Sequence, residues 1–267
     1  MNLLFIGDVV GRPGREGVAK LLPGLRRQHH IAFTIANAEN SAGGMGVTAD
    51  TADQLLSAGV DVLTTGNHVW RRREALPFLD QEPRLLRPAN YPPGAPGRGA
   101  GLFVTADNHP VAVLNLLGRT FMGLADCPFR AADREIELLR GKTSVIVVDM
   151  HAEATSEKLA MGWCLDGRVS AVIGTHTHVQ TADERLLPQG TAYITDVGMT
   201  GPRDSILGVR HEAVISRFFT GLPGRFEVAD GPVVLSGVVV EIDFDTGRAN
   251  SIRRVLQLAT EEPQPTG

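Results

Sequence analysis

The sequence predicts an α/β protein built on mixed sheets. Three observations carry that prediction. Short apolar, β-branched runs alternate with amphipathic stretches over most of the chain. Those runs end repeatedly in Asp, Asn, Glu or His beside a Gly. The last third instead carries neighbouring alternating runs around a turn, which is how antiparallel pairing reads.

Residues 3–6 (Leu-Leu-Phe-Ile) form the first expected strand, ending in Gly7-Asp8, and a helix over 15–28 follows with Leu21, Leu22 and Leu25 on one face. Gly11-Arg12-Pro13-Gly14-Arg15 lacks the Lys-Ser/Thr ending of a phosphate loop and is set aside. The second strand, 31–36, ends in Asn37-Ala38-Glu39-Asn40 beside a glycine-rich loop, and Thr48 caps a helix over 48–58. The third, 60–65, ends in Gly66-Asn67-His68. A short polar helix is expected at 71–80, then an ordered Pro/Gly/Arg-rich loop over 84–101. Strands at 102–106 and 111–117 flank the turn Asp107-Asn108-His109-Pro110, where His109 is read as structural or solvated rather than a ligand. A helix over 131–140 leads to a buried strand at 145–150 that ends in His151, and a helix over 157–165 follows.

The strand at 169–173 opens into Gly174-Thr175-His176-Thr177-His178. In extended backbone two histidines one residue apart point to the same side, so they can share one metal or serve two adjacent ones. A strand at 191–195 runs into 196–202, read as a loop, and antiparallel strands surround Asp245-Thr246-Gly247. No linker divides the chain. Residues 1–260 are expected to form one domain, with 261–267 as a frayed tail.

Composition excludes several classes. The chain has 267 residues and a formal net charge of −4, so bulk charge does not mark a polyanion binder. Cys127 and Cys164 make neither a disulfide framework nor a metal spacing and are read as reduced, partly buried thiols. No window approaches the roughly 18–20 apolar residues of a membrane span, and no basic region precedes the short apolar start. The expected compartment is the cytoplasm.

The strand-end residues Asp8, Glu39, Asn40, Asn67, His68, His151, His176 and His178 offer oxygen and nitrogen ligands and no thiolate. They are too many for one tetrahedral ion and enough for two ions bridged by a carboxylate. Their order, Gly7-Asp8, Asn37-Ala38-Glu39-Asn40, Gly66-Asn67-His68, His151 and Gly174-Thr175-His176-Thr177-His178, resembles the calcineurin-like metallophosphoesterase superfamily over most of the chain. Val10 stands where that superfamily has a histidine, and Glu39 where it has a bridging Asp. With residues 149–158 and 195–202, these departures resemble one branch, the bacterial YmdB-like phosphodiesterase family.

The resemblance implies a four-layer α/β sandwich of two mixed β-sheets flanked by helices. It implies a phosphodiesterase acting on 2′,3′-cyclic nucleotides or similar small phosphodiesters. Asp8, Glu39 and His178 would hold one metal, with Asn40 in place of the missing histidine. Glu39 would bridge to a second, held by Asn67, His151 and His176, and His68 would be the general acid. Iron, manganese and zinc all suit these ligands. Arg119, Thr120 and the loop Met199-Thr200-Gly201 are candidate substrate contacts. A phosphomonoesterase and a nucleotide-sensing regulatory protein are the rival readings. RNA ends as substrate are kept open by Arg71-Arg72-Arg73, and a homo-oligomer is left open.

Overall fold

The structure, a computed structural model, describes residues 1–259, so the tail expected at 261–267 lies outside the described residues. In chain order the elements are β1 (Asn2–Ile6), β2 (Asp8–Val9), α1 (Gly11–Gln28), β3 (Ile31–Asn37), α2 (Ala49–Ser57), β4 (Val62–Thr64), α3 (Leu76–Gln81), β5 (Leu85–Leu86), β6 (Ala100–Val104) and β7 (Pro110–Leu117). They continue as α4 (Pro128–Arg140), β8 (Ile146–His151), α5 (Thr155–Leu165), β9 (Ala171–Thr175), β10 (Arg185–Leu186), β11 (Ala192–Ile194), β12 (Met199–Pro202), α6 (His211–Thr220), β13 (Val233–Ile242) and β14 (Ala249–Ala259).

The strands make two mixed sheets. The first has the order β2-β12-β13-β1-β3-β4-β5, with β14 paired along β13. Here β1, β3, β4 and β5 run parallel and β13 is antiparallel to β1. The second has the order β10-β11-β9-β8-β7-β6, parallel in its four central strands and antiparallel at both edges.

Four layers follow from strands that are apolar on both faces. Leu3 and Phe5 enter the core between the sheets, against Val113, Val147 and Ile173. Leu4 and Ile6, one residue out of phase, join Val18, Leu22 and Leu25 of α1 on the outer face. The second sheet turns Leu114, Leu116 and Val148 outward onto α4 and α5, where Ile136 and Met161 meet them. Thr48 caps α2 as expected, in a reciprocal capping box with Thr51.

Several elements differ from expectation. The helix expected at 15–28 begins a turn earlier, at Gly11; within that first turn Gly14 lies so close to β12 that a Cβ there would sit 2.5 Å from the Thr200 carbonyl oxygen. The polar helix expected at 71–80 is a 3-10 turn, Arg73–Ala75, running into α3. Residues 199–202 are not a loop: they form β12, fully buried, pairing Met199 with Asp8 and Thr200 with Val9. A four-residue strand containing Gly and Pro carries no periodic signal, so only its partners define it. Helix α6 was not expected. Val214 is its one buried residue and Phe218 and Phe219 are exposed, so no core-facing stripe marks it. Cys127 is half-buried, but Cys164 is exposed rather than partly buried. Among the described residues no helix is long and apolar enough to cross a membrane.

Candidate metal centre

The carboxyl ends of β1, β3, β4, β8 and β9 converge on one place, which brings all eight strand-end residues into one network. Close approach is obligatory there. A Cβ on Gly66 would sit 2.2 Å from the His151 ring and 2.4 Å from Glu39 Oε2.

The histidine pair does not continue the strand. β9 ends at Thr175, and His176 and His178 have φ of +93° and +65°, so the expected extended alternation does not apply. Non-glycine residues in this region are strained and need external support. That support is Asp196. Its Oδ2 accepts from Thr177 N–H (3.0 Å), Thr177 Oγ1 (2.5 Å) and Lys158 Nζ (2.8 Å), and its Oδ1 accepts from Gly198 N–H (2.8 Å). Lys158 and Asp196 are both fully buried.

The turn sends the two rings to different partners. His176 donates from Nε2 to Glu153 Oε2 (3.0 Å), which leaves the Nδ1 lone pair facing His151 Nε2 at 3.1 Å. His151 is set by a relay. Thr175 Oγ1 spends its one proton on Asp149 Oδ1 (2.6 Å), so it accepts from His151 Nδ1–H (2.9 Å), which puts the lone pair of the neutral ring on Nε2. Buried Asp149 also accepts from Thr64 and Asn37. His151 Nε2 thus faces His176 Nδ1, Asn67 Oδ1 at 3.1 Å and Glu39 Oε1 at 3.2 Å. Ligand atoms of Glu39, His151 and His176 lie within 4.8 Å of one another.

His178 belongs to a second set. Its Nδ1–H donates to the Leu207 carbonyl (3.1 Å), and Nε2 faces Asp8 Oδ1 at 3.7 Å and Asn40 Nδ2 at 3.2 Å. Asp8 Oδ2 accepts from His176 N–H, whereas the buried Oδ1 has no hydrogen-bond partner. Asn40 directs its oxygen at His68 Nδ1 (2.7 Å) and its NH₂ at His178; an amide nitrogen offers no lone pair, so its ligand atom points away from that set. The His68 backbone N–H donates to Glu39 Oε2 (3.0 Å), and its Nε2 has no partner among the described residues.

The donors fit a metal ion. Four lone-pair groups converge on one point, and a buried carboxylate oxygen is orphaned beside them, an arrangement that repels itself without a cation. The electrostatics agree. Burial works to raise the Glu39 carboxyl, yet His151 and His68 hold it well below the usual range. Burial also works against charging His151, but Glu39, Asp8 and Asp149 push it up to about 9. Positive charge is favoured at His151 Nε2, where a proton and a metal ion compete. Burial, with His151 beside it, brings His176 down to about 3, so it stays neutral. Burial raises Asp8.

The side chains of the remaining candidates make no hydrogen bond to this network among the described residues. Arg119 and Thr120 donate backbone N–H groups to Glu157, and their side chains are exposed. Met199, Thr200 and Gly201 lie in β12, not in a loop, and the Thr200 hydroxyl donates to the Ser236 carbonyl. The supporting groups Glu153, Thr175, Asp149, Lys158 and Asp196 were not assigned from the sequence. A polar residue inside an apolar run, such as Asp149, was the one signal that could have found any of them.

Four layers with carboxylate, carboxamide and imidazole groups gathered at the strand ends define a fold of the metallophosphoesterase type. The sequence model of the YmdB-like proteins matches residues 4–255, and the chain belongs to that family. It is 54% identical over 256 residues to a protein of Bacillus subtilis (strain 168) named 2′,3′-cyclic-nucleotide 2′-phosphodiesterase, covering 96% of this chain and 97% of that one. A crystal structure described as a hypothetical protein from Thermus thermophilus superposes with a TM-score of 0.90 at 42% identity, covering 97% and 99% of the two chains. Another, described as a novel phosphatase from Mycoplasma pneumoniae, gives 0.91 at 34% identity, covering 97% and 93%.

Proposed function

We propose that this chain is a metal-dependent phosphodiesterase that opens 2′,3′-cyclic nucleotides at a two-metal site. The convergence of Glu39, His151 and His176 ligand atoms, with Asp8 and His178 beside them, carries the proposal. The name of the Bacillus subtilis relative, at 54% identity, supports the substrate class. Asp8 and His178 would hold one ion, Asn67, His151 and His176 the other, with Glu39 between them; Asn40, expected as a ligand of the first, instead turns its oxygen to His68 and its NH₂ to His178. Iron, manganese and zinc suit these donors. Bound there, the ions would polarise the phosphoryl group and activate the attacking water.

The chain's own residues do the rest. Asp149, through Thr175, keeps the His151 lone pair on Nε2, and Glu153 keeps that of His176 on Nδ1. Hydrolysis forms one phosphorus–oxygen bond from water and breaks one to a ribose oxygen. That leaving oxygen has a high pKa and departs best with a proton. Asn40 orients His68 through Nδ1 and leaves Nε2 free to donate it.

Protein purified without added metal, analysed for metal content and assayed on cyclic nucleotides and phosphomonoesters, tests the proposal. Two ions per chain and preference for the cyclic diesters are expected. A metal-free active protein refutes the site, and preference for monoesters favours a phosphatase. His68→Ala should keep both ions and lose roughly 10²–10⁴-fold in kcat on a cyclic nucleotide. It should lose much less on a nitrophenyl diester, whose leaving group needs no proton. Equal losses on the two would rule out the acid role.

A further inference from the structure

Beside the strand ends lies a cleft that the hydrolysis of a mononucleotide does not require. It has a volume of about 380 Å³ and is lined by Arg119, Arg130 and Arg134 together with Asn90, Asp126 and Cys127. It adjoins a second hollow of about 440 Å³ that shares Asp126 and Arg134 and reaches Tyr91. Three guanidinium groups face one carboxylate of the lining. Arg134 is engaged by Glu135 at 3.0 Å, whereas the side chains of Arg119 and Arg130 have no hydrogen bond or ion pair among the described residues. An unpaired cationic cleft is a site for anions.

The cleft is built onto the metal centre. Gly118 N–H donates to the His151 carbonyl (2.9 Å), so Arg119 follows a residue bonded to a candidate ligand. Asn90 ties the segments together, donating to the carbonyls of Leu117 (2.7 Å) and Asp126 (2.9 Å) and accepting from Leu117 N–H. Tyr91, at the far hollow, lies close enough to Glu39 for its charge to help raise the phenol to about 12, after burial. Between Arg119 and Cys127 the connecting loop also carries Phe121, 87% exposed with φ of +62°. A cationic groove with an exposed aromatic residue is how proteins hold single-stranded nucleic acid, with phosphates on the cations and bases on the ring.

We propose that this arginine-lined cleft is a subsite for the phosphodiester backbone of an oligoribonucleotide whose 2′,3′-cyclic phosphate end occupies the metal centre. This rests on the phosphodiesterase reading and narrows its substrate to RNA ends. A 2′,3′-cyclic phosphate closes the 3′ terminus, so the chain leaves the site through the 5′ oxygen alone. The next phosphates then need cations along one path: Arg119 follows Gly118, which is bonded to His151, Arg130 lines the same cleft, and Arg134 lines both this cleft and the hollow beyond it.

The test compares wild type with Arg130→Ala/Arg134→Ala, both exposed positions on α4, using 2′,3′-cyclic AMP and an adenosine pentanucleotide with a 2′,3′-cyclic phosphate end. Wild type should favour the pentanucleotide in kcat/KM by about tenfold or more at low salt, an advantage that shrinks as salt rises. The double variant should lose most of that advantage through KM and keep its turnover of cyclic AMP. Equal kcat/KM for the two substrates in wild type, or equal losses on both in the variant, overturns the subsite. Fluorescence anisotropy with a labelled pentanucleotide ending in a 3′-phosphate reads the cleft without catalysis. The variant should bind it about tenfold more weakly, and unchanged binding refutes the cleft. Failure to hydrolyse either substrate would instead refute the phosphodiesterase reading, with the anisotropy still deciding the cleft.

Discussion

Glu39 engages two histidines of the centre: His151 and His68 on Oε1, and the His68 amide on Oε2. If it spans both ions, Glu39→Ala leaves neither site complete. That variant should lose both metals and all turnover, and two retained ions per chain would refute the bridging role. Thr175→Val tests the group behind His151. It preserves shape but removes the hydroxyl that accepts from Nδ1 and donates to Asp149. The second metal should bind about 10–100-fold more weakly, the usual cost of losing an outer partner of a ligand histidine. Titration of the apo protein with Mn²⁺ measures it, and unchanged affinity means the relay does not set the tautomer.

At the scale of elements, the decisive piece is the turn after β9. Two left-handed histidines cost about 1–3 kcal/mol each, so the turn needs the bonds by which Asp196 fastens Thr177, beside those of His176 N–H to Asp8 and of His178 to the Leu207 carbonyl. Lys158, reaching up from α5, neutralises that carboxylate. Lys158→Met would leave a buried charge with dipoles alone and should destabilise the fold by about 3–5 kcal/mol. His176 and His178 would lose their fixed aim at the same time. Thermal melting paired with metal content checks both. A drop in stability with metal affinity intact would make the pair a fold element only.

Across the whole molecule, Asp8, Glu39, Asp149 and Asp196 are fully buried, and Lys158 is the one lysine or arginine buried with them among the described residues. Two divalent ions would redress that balance, so folding and metal binding should be linked. At free metal 100-fold above Kd, each site would add about 2.7 kcal/mol. Chelation should therefore lower Tm by roughly 5–10 °C per site for a chain of this size. Calorimetry with and without chelator reads it, and an unchanged Tm would mean that the centre does not bind metal in the native state.

The strands and the candidate ligands were legible in the sequence because both are local. An apolar run of residues 3–6 must be buried on both faces, and a Gly-Asp or Gly-Asn-His at the end of such a run stands at a sheet edge whatever the sheet's order. The sequence by itself therefore determined the α/β class and named the eight strand-end residues. What pairs across long separations was decided only in three dimensions. β12 exists because Met199 and Thr200 lie against Asp8 and Val9, close to the start of the chain. The aim of His176 and His178 comes from backbone that their own spacing does not encode, held by Asp196 and Lys158 from other elements. Periodicity reports which face of an element is apolar; the lone pair a histidine presents depends on which distant group takes its other proton.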